Sequence, residues 1–257
     1  MSILNNVAAM GASRQLSITN LGMNKTIERL TSGKRINHAS DDAAGLGIAN
    51  QLGAEIRVSN QAARNANDGV SLLQVADGAL DTITNLLTRK AELAQQYANG
   101  TVDSNGQANI DAEYGEIKTQ IDTILSSTKF NGVAIFGSTT KIDAGDYGQE
   151  DLTNALKSTT ITSGSSAATD LAKVQADLTT VSTQRATIGA AQQTLTAYNQ
   201  VLGVQSTNLT AAASQITDAN VADEVVNLSK FQIMNQSGIS ALGQANQSAQ
   251  SILALLR

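Results

Sequence analysis

The sequence predicts a mainly α protein, a long antiparallel helical rod with terminal coiled-coil helices and a small β-hairpin element. Three observations lead there. The 257 residues contain no proline, and proline is the residue that breaks a helix interior by removing a donor and clashing with the preceding turn. Apolar residues recur at alternating steps of three and four in four separate stretches, the spacing of one helical face. That period fails only in the middle of the chain, between about residues 129 and 166.

The first stretch carries Ile3, Val7 and Met10, then Leu16, Met23, Ile27 and Leu30. Thr31-Ser32-Gly33 follows, with glycine as a helix terminator. A second stretch runs from about Asp42 to Tyr97 through Leu52, Ile56, Ala63, Ala66, Val70, Leu73, Leu80, Ile83, Leu87 and Ala94. At 1.5 Å per residue such a helix reaches roughly 80 Å, until Asn99-Gly100 ends it. The third follows a Ser104-Asn105-Gly106 turn and bears Ile110, Tyr114, Ile117, Ile121 and Ile124.

From Lys129 to Ile161 short β-like runs alternate with Asn131-Gly132, Gly137, Gly145 and Gly148, which reads as one or two hairpins. Val133-Ala134-Ile135-Phe136 is the clearest run, and residues 158–169 form a Ser/Thr/Gly-rich loop. The fourth helical stretch uses Leu171, Val174, Leu178, Val181, Ile188 and Leu195, interrupted by Arg185 and Gln192. Its phase slips near Tyr198 before resuming through Leu202, Leu209, Ala212 and Ile216, an offset that overwinds a coiled coil locally. A last helix, capped by Thr217 or Asp218, carries Val221, Val225, Leu228, Leu242, Ala245, Ala249, Ile252 and Leu256.

Helices at both ends around a β excursion imply an antiparallel hairpin of chain. The expected division is a discontinuous terminal coiled-coil domain of residues 1–42 and 217–257, and a helical rod domain of residues 43–216 with the hairpin and loop at about 129–166. Many ladder positions are Ala, Ser or Gln, weak for a lone coiled coil. The ends are therefore expected to gain order when copies pack together.

Composition excludes several functions. A net charge of −5 with scattered Lys and Arg lacks the basic stripe of a nucleic-acid surface. No cysteine and one histidine, His38, leave no zinc constellation of the usual kind. Asp41-Asp42 suits a helix N-terminus, and no G-x-S-x-G, P-loop or H-E-x-x-H occurs, so no catalytic residue, metal or cofactor is expected. No apolar run approaches a bilayer span, and no basic n-region precedes an apolar one, so no Sec-type signal is visible. The protein is expected to be soluble as made or to leave the cell by another route.

Two sets of motifs resemble the bacterial flagellin family. One is Glu28-Arg29-Leu30-Thr31-Ser32-Gly33-Lys34-Arg35-Ile36-Asn37, with Asp41-Asp42-Ala43-Ala44-Gly45-Leu46 and the run from Ser59 to Gly69. The other is Gln244-Ala245-Asn246-Gln247 with Leu253-Ala254-Leu255-Leu256-Arg257. Phe130-Asn131-Gly132 stands where that family's rod turns into its hairpin. The likeness covers the chain apart from about residues 138–166, so it resembles a short, core-only member. Ser248, where many relatives carry proline, and His38, where a small residue is usual, depart from the pattern.

The resemblance implies a structural subunit, secreted unfolded through the flagellar export apparatus, that polymerises with itself into the flagellar filament for motility. A chaperone, a cap and hook-junction proteins would be its other partners. The hook–filament junction protein, which shares flagellin-like ends, is the alternative, and an adhesin or an enzyme are more distant rivals. Polymerisation is expected to use Ile3, Val7, Met10, Leu242, Ile252, Leu253, Leu255 and Leu256. Arg89, Leu93 and Glu113 match the family positions bound by the flagellin-sensing Toll-like receptor of animal hosts, and the Ser/Thr-rich loop 158–166 is a candidate for the O-linked glycans that some members carry.

Overall fold

The structure, a computed structural model, describes residues 6–145 and 148–255, with the side chains of Thr169 and residues 249–255 left aside. Five helices occupy most of it: α1 (Val7–Ser32), α2 (Ala43–Tyr97), α3 (Ser104–Ser127), α4 (Leu171–Thr217) and α5 (Val221–Leu255). Between α3 and α4 lie two antiparallel hairpins, β1 (Lys129–Phe130) with β2 (Val133–Ala134), and β3 (Lys141–Asp143) with β4 (Gln149–Asp151). The chain divides into a terminal unit, Met1–Ala54 with Asn208–Arg257, and a central unit, Glu55–Thr207.

In the terminal unit α1 and α5 pack antiparallel. Asn6 caps α1 by accepting the Ala9 N–H at 3.1 Å, and its amide donates to the Ala245 carbonyl at 2.9 Å. Further along, Asn20 meets Asn235 and Arg29 meets Glu224 at 3.3 Å. The covered positions on α1 are Ala9, Ala12, Leu16, Thr19, Met23, Thr26 and Leu30, and on α5 Glu224, Leu228, Phe231, Asn235, Gly238, Leu242 and Ala245. Both series alternate three and four, a coiled-coil seam. A methyl added at Gly22 would come within 2.6 Å of the Phe231 ring, so glycine there makes room for the one large knob.

Helix α1 stops at Gly33, whose φ of 70° is the left-handed conformation suited to glycine. The connection after α1 and the one after α4 then pair with each other. Arg35 N–H donates to the Thr217 carbonyl at 2.6 Å and Ala219 N–H to the Gly33 carbonyl at 2.9 Å. Asp42 opens α2 by accepting the Gly45 N–H at 2.8 Å, as the acid-at-N-terminus reading expects. Asp41 does something else: it accepts the N–H groups of Asn37 and His38 and pairs with Lys25 at 2.7 Å. Those contacts, Lys25 foremost, hold its carboxyl well below the usual range. Neither Thr217 nor Asp218 caps α5. Thr217 still belongs to α4, and Asn220 accepts the Ala222 N–H at 3.1 Å.

The central unit buries one apolar cluster among α2, α3, α4 and the hairpin segment. On α2 the covered stripe is Ser59, Ala62, Ala66, Gly69, Leu73, Ala76, Leu80, Ile83, Leu87, Lys90 and Ala94, again alternating three and four. On α3 it is Ile110, Tyr114, Ile117 and Ile121. Helix α4 runs antiparallel to α2, as the pairs Ser206–Asn60, Asn199–Asn67 and Arg185–Asp77 show.

Here the sequence reading needs correction. The buried stripe of α4 is Val174, Asp177, Val181, Gln184, Ile188, Ala191, Leu195 and Leu202, with half-buried Tyr198 in step. No phase slip occurs at Tyr198. The interior positions are Asp177 and Gln184 rather than Leu178 and Arg185, and Arg185 points outward to Asp77 and Asp81, both at 2.8 Å. Of the run 133–136 only Val133 and Ala134 are strand, while Ile135 and Phe136 turn into the core. Asn131 and Gly132, with φ of 49° and 81°, make the tight turn between β1 and β2. Ser104 opens α3 rather than forming a turn, because Asp103 caps it through the Gly106 N–H at 2.9 Å.

Leu80→Ala, at a fully buried seam position, is expected to destabilise the subunit by about 2–5 kcal/mol in urea unfolding. Leu21→Ala, whose side chain is 67% exposed, is expected to cost less than about 0.5 kcal/mol. Equal costs would contradict this assignment of inside and outside.

Candidate functional site

Among the described residues no group of three metal-ligating side chains comes together, and no helix is long and apolar enough to cross a membrane. The feature that stands out is instead a surface. Helix α1 exposes Val7, Met10, Ile18 and Leu21, and α5 exposes Val225, Val226, Ile233 and Ile239. At about 100° per residue, the four on α1 fall within about 80° of one another, on the side opposite the seam. Val226 and Ile233 lie opposite the α5 seam in the same way, with Val225 and Ile239 on its flank. Both helices are thus apolar on two sides, and only one side is covered within the chain.

A helix apolar on both faces belongs in an interior, and a contiguous exposed apolar surface marks an interaction site. Charges punctuate the patch: exposed Arg14 sits within the α1 stripe, Lys25 ends it, and exposed Lys230 lies between Val226 and Ile233 on α5. Nearby, the His38 imidazole meets Glu28 at 2.7 Å on the open surface.

Of the residues expected to serve polymerisation, Val7 and Met10 lie on this exposed stripe, 75% and 66% exposed. Leu242 is half-buried and belongs to the α1–α5 seam. Ile252, Leu253 and Leu255 fall in α5, but their side chains, like Ile3 and Leu256 altogether, lie outside the described residues. Sequence reasoning missed Ile18, Leu21, Val226, Ile233 and Ile239. Their signal was present as apolar residues left over once the three-four ladder is removed.

The second expected site splits. Arg89 donates to Glu113 at 2.9 and 3.0 Å and to Glu92 at 3.2 Å, all three on the surface. Leu93, one turn on, is 1% exposed and part of the core. Only Arg89 and Glu113 of the three reach solvent in the subunit. Because Leu21 and Ile233 are 67% and 64% exposed, Leu21→Ser combined with Ile233→Ser should leave the far-ultraviolet circular dichroism and thermal midpoint of the lone subunit little changed. A drop in either would show these residues to be core.

Comparison with known proteins agrees with this architecture. Residues 3–141 match the bacterial flagellin N-terminal helical region, and residues 171–256 the bacterial flagellin C-terminal helical region. The flagellin of Halalkalibacterium halodurans is 36% identical over 272 residues, covering all of both chains. The flagellar filament 33 kDa core protein of Treponema phagedenis is 34% identical over 292 residues, again covering both chains fully. A crystal structure of Bacillus cereus flagellin superposes with a TM-score of 0.47 at 30% identity, over 58% of this chain and 94% of that one. With both helical regions matched and relatives aligned from end to end, the chain belongs to the bacterial flagellin family.

Proposed function

We propose that this protein is a structural subunit that polymerises with copies of itself into the extracellular flagellar filament and catalyses no reaction. The observation that carries the assembly mechanism is the uncovered apolar stripe on the outer sides of α1 and α5. Two helices can bury one stripe each against the other, and the second stripe needs further helices. Neighbouring copies supply them. In this reading residues 1–42 and 217–257 are the inner coiled-coil domain and residues 43–216 the rod domain. The ends gain order on assembly, because each buried methylene then contributes about 0.8 kcal/mol against the entropy of ordering. The filament name on the Treponema phagedenis relative favours the bulk polymer over the hook–filament junction.

The remaining proposed partners are those the resemblance implies: an export apparatus and chaperone before assembly, a cap and hook-junction proteins during it. Arg89 and Glu113 are the exposed pair that a Toll-like receptor would meet on a free subunit. Buried Leu93 would contribute by setting the position of the α2 surface.

Seeded elongation followed by electron microscopy tests the central reading. The Leu21→Ser, Ile233→Ser subunit, and a subunit lacking residues 242–257, should stay soluble and helical yet fail to extend seeds. Filaments of normal length from either would refute assembly through this surface. In a receptor reporter assay, undiminished signalling by Arg89→Ala would remove Arg89 from the receptor site.

A further inference from the structure

The segment left between the two family matches, residues 142–170, ends in a strap, residues 158–170, with one short 3-10 turn and no strand. Charged side chains from three helices fasten its backbone. The N–H groups turn to carboxylates. Those of Thr162 and Ser163 donate to Asp177 of α4, both at 2.9 Å, that of Gly164 to Asp170, and that of Ala167 to Asp111 of α3 at 2.7 Å. The oxygens turn to a cation instead. The Lys90 ammonium of α2 donates to the Ser163 hydroxyl and the Gly164 carbonyl, both at 2.9 Å, and to the Ser163 carbonyl at 3.4 Å. The Tyr114 ring of α3 lies 4.4 Å from it, within reach of a cation–π contact.

We propose that the strap and the Tyr114 ring form a receptor for a primary ammonium group, that Lys90 fills it from within the chain, and that this cation holds residues 162–166 in place. An ammonium has three N–H donors, and the strap offers three oxygens in answer. Apolar packing does not do the same work: Ile161 and Ala167 join the central cluster, and none of residues 162–166 does. Lys90 stands in the α2 seam between Leu87 and Ala94, where the ladder otherwise places apolar residues, so its charge serves the strap.

The buried charges also answer one another. Lys90, Asp170 and Asp177 are 0%, 3% and 2% exposed, and a buried carboxylate needs both donors and a counter-charge. Lys173, on the surface, supplies one to Asp170 at 2.8 Å. Lys90 supplies the buried one, drawn by both Asp170 and Asp177. Burial pushes its amine down to about 8 against that pull, so the amine keeps its proton at pH 7. Taking the ammonium away leaves the carboxylates inside without it, and the strap, which has no ladder of its own, is the part that gives way.

Lys90→Ala empties the receptor by removing the equivalent of one propylammonium ion, and Lys90→Met keeps the stem while removing the charge. At neutral pH, hydrogen exchange at the Ser163 and Gly164 amides should quicken by roughly tenfold or more in both variants, the scale of a lost hydrogen bond to a charged group. The Ile83 amide, in the α2 core, should keep its protection. Added propylammonium should then restore protection to Lys90→Ala, whereas propan-1-ol or potassium chloride at equal concentration should not. Undiminished protection in either variant overturns the proposal. So does a failure of propylammonium to restore it, or equal recovery with the alcohol or the salt. Should Lys90→Ala not fold, helical circular dichroism regained with propylammonium and not with propan-1-ol is the same result, and no recovery is the same refutation. All of these readouts are made on the free subunit, so they stand apart from whether it elongates seeds.

Discussion

Everything in this chain depends on burying a stripe one residue wide that alternates steps of three and four, without the bulk of aromatic rings. Aromatics are 3% of the sequence, so most apolar contacts along the seams are made by Leu, Ile, Val and Ala, with polar residues such as Thr19, Thr26, Asp177 and Gln184 among them. Such seams reach useful energies only by being long, and length requires that nothing interrupt the backbone ladder. The absence of proline is the backbone side of that requirement, and the unbroken stripe on α2 from Ser59 to Ala94 is the side-chain half. In the central unit three helices and the hairpin segment close around the stripe. In the terminal unit two helices close one stripe and leave a second open on each. That asymmetry is why the terminal unit reads as part of something larger.

How far this was legible in the sequence differs from helix to helix. The ends of α1 and α2 follow from Gly33, Asp42 and Asn99-Gly100, because chain reversal and capping are local chemistry. The α2 stripe was legible from Leu73 to Ala94 apart from Ala76 and Lys90, but Ala63 and Val70 stood in for the buried Ala62 and Gly69 one step away. On α4 the reading went wrong where the seam is polar: Asp177 and Gln184 sit inside, and Leu178 on the flank drew the ladder one step out of register. A buried aspartate looks like a surface aspartate until the partner loop is known. Gln184 is satisfied by the Lys157 and Ala155 carbonyls and by Thr159, residues 25 to 29 positions away, which no periodicity can report. The invented phase slip at Tyr198 was the cost of that one misplaced step.

The assembly surface was half legible for a related reason. Val7 and Met10 stand out as apolar residues at the chain's start that a soluble monomer would not expose, whereas Ile18, Leu21, Val226 and Ile233 lie off the three-four ladder. A single amphipathic face is the usual expectation, so apolar residues opposite it look like noise. They become a signal only when the seam is known and the remainder proves to be ordered as well. Arg89 and Leu93 show the opposite hazard. Four residues apart on a helix, they share a side in projection, yet the neighbouring elements cover one and leave the other to its carboxylate partners.

The two connections flanking α1 and α4 fasten to each other through the Gly33, Arg35, Thr217 and Ala219 backbone, a clasp between stretches some 180 residues apart along the chain. Its ladder is made of main-chain groups, and the Arg35 guanidinium adds one bond to the Ile216 carbonyl at 2.8 Å. It also fixes where the two outer helices begin their pairing, whatever lies between. Extra sequence inserted beyond the small hairpins would lengthen the loop that the clasp closes, and closing a loop of doubled length costs only about 0.6 kcal/mol more. Polypeptide could therefore be added at the midpoint, or removed from it, while the meeting of the chain's extremities stays as it is.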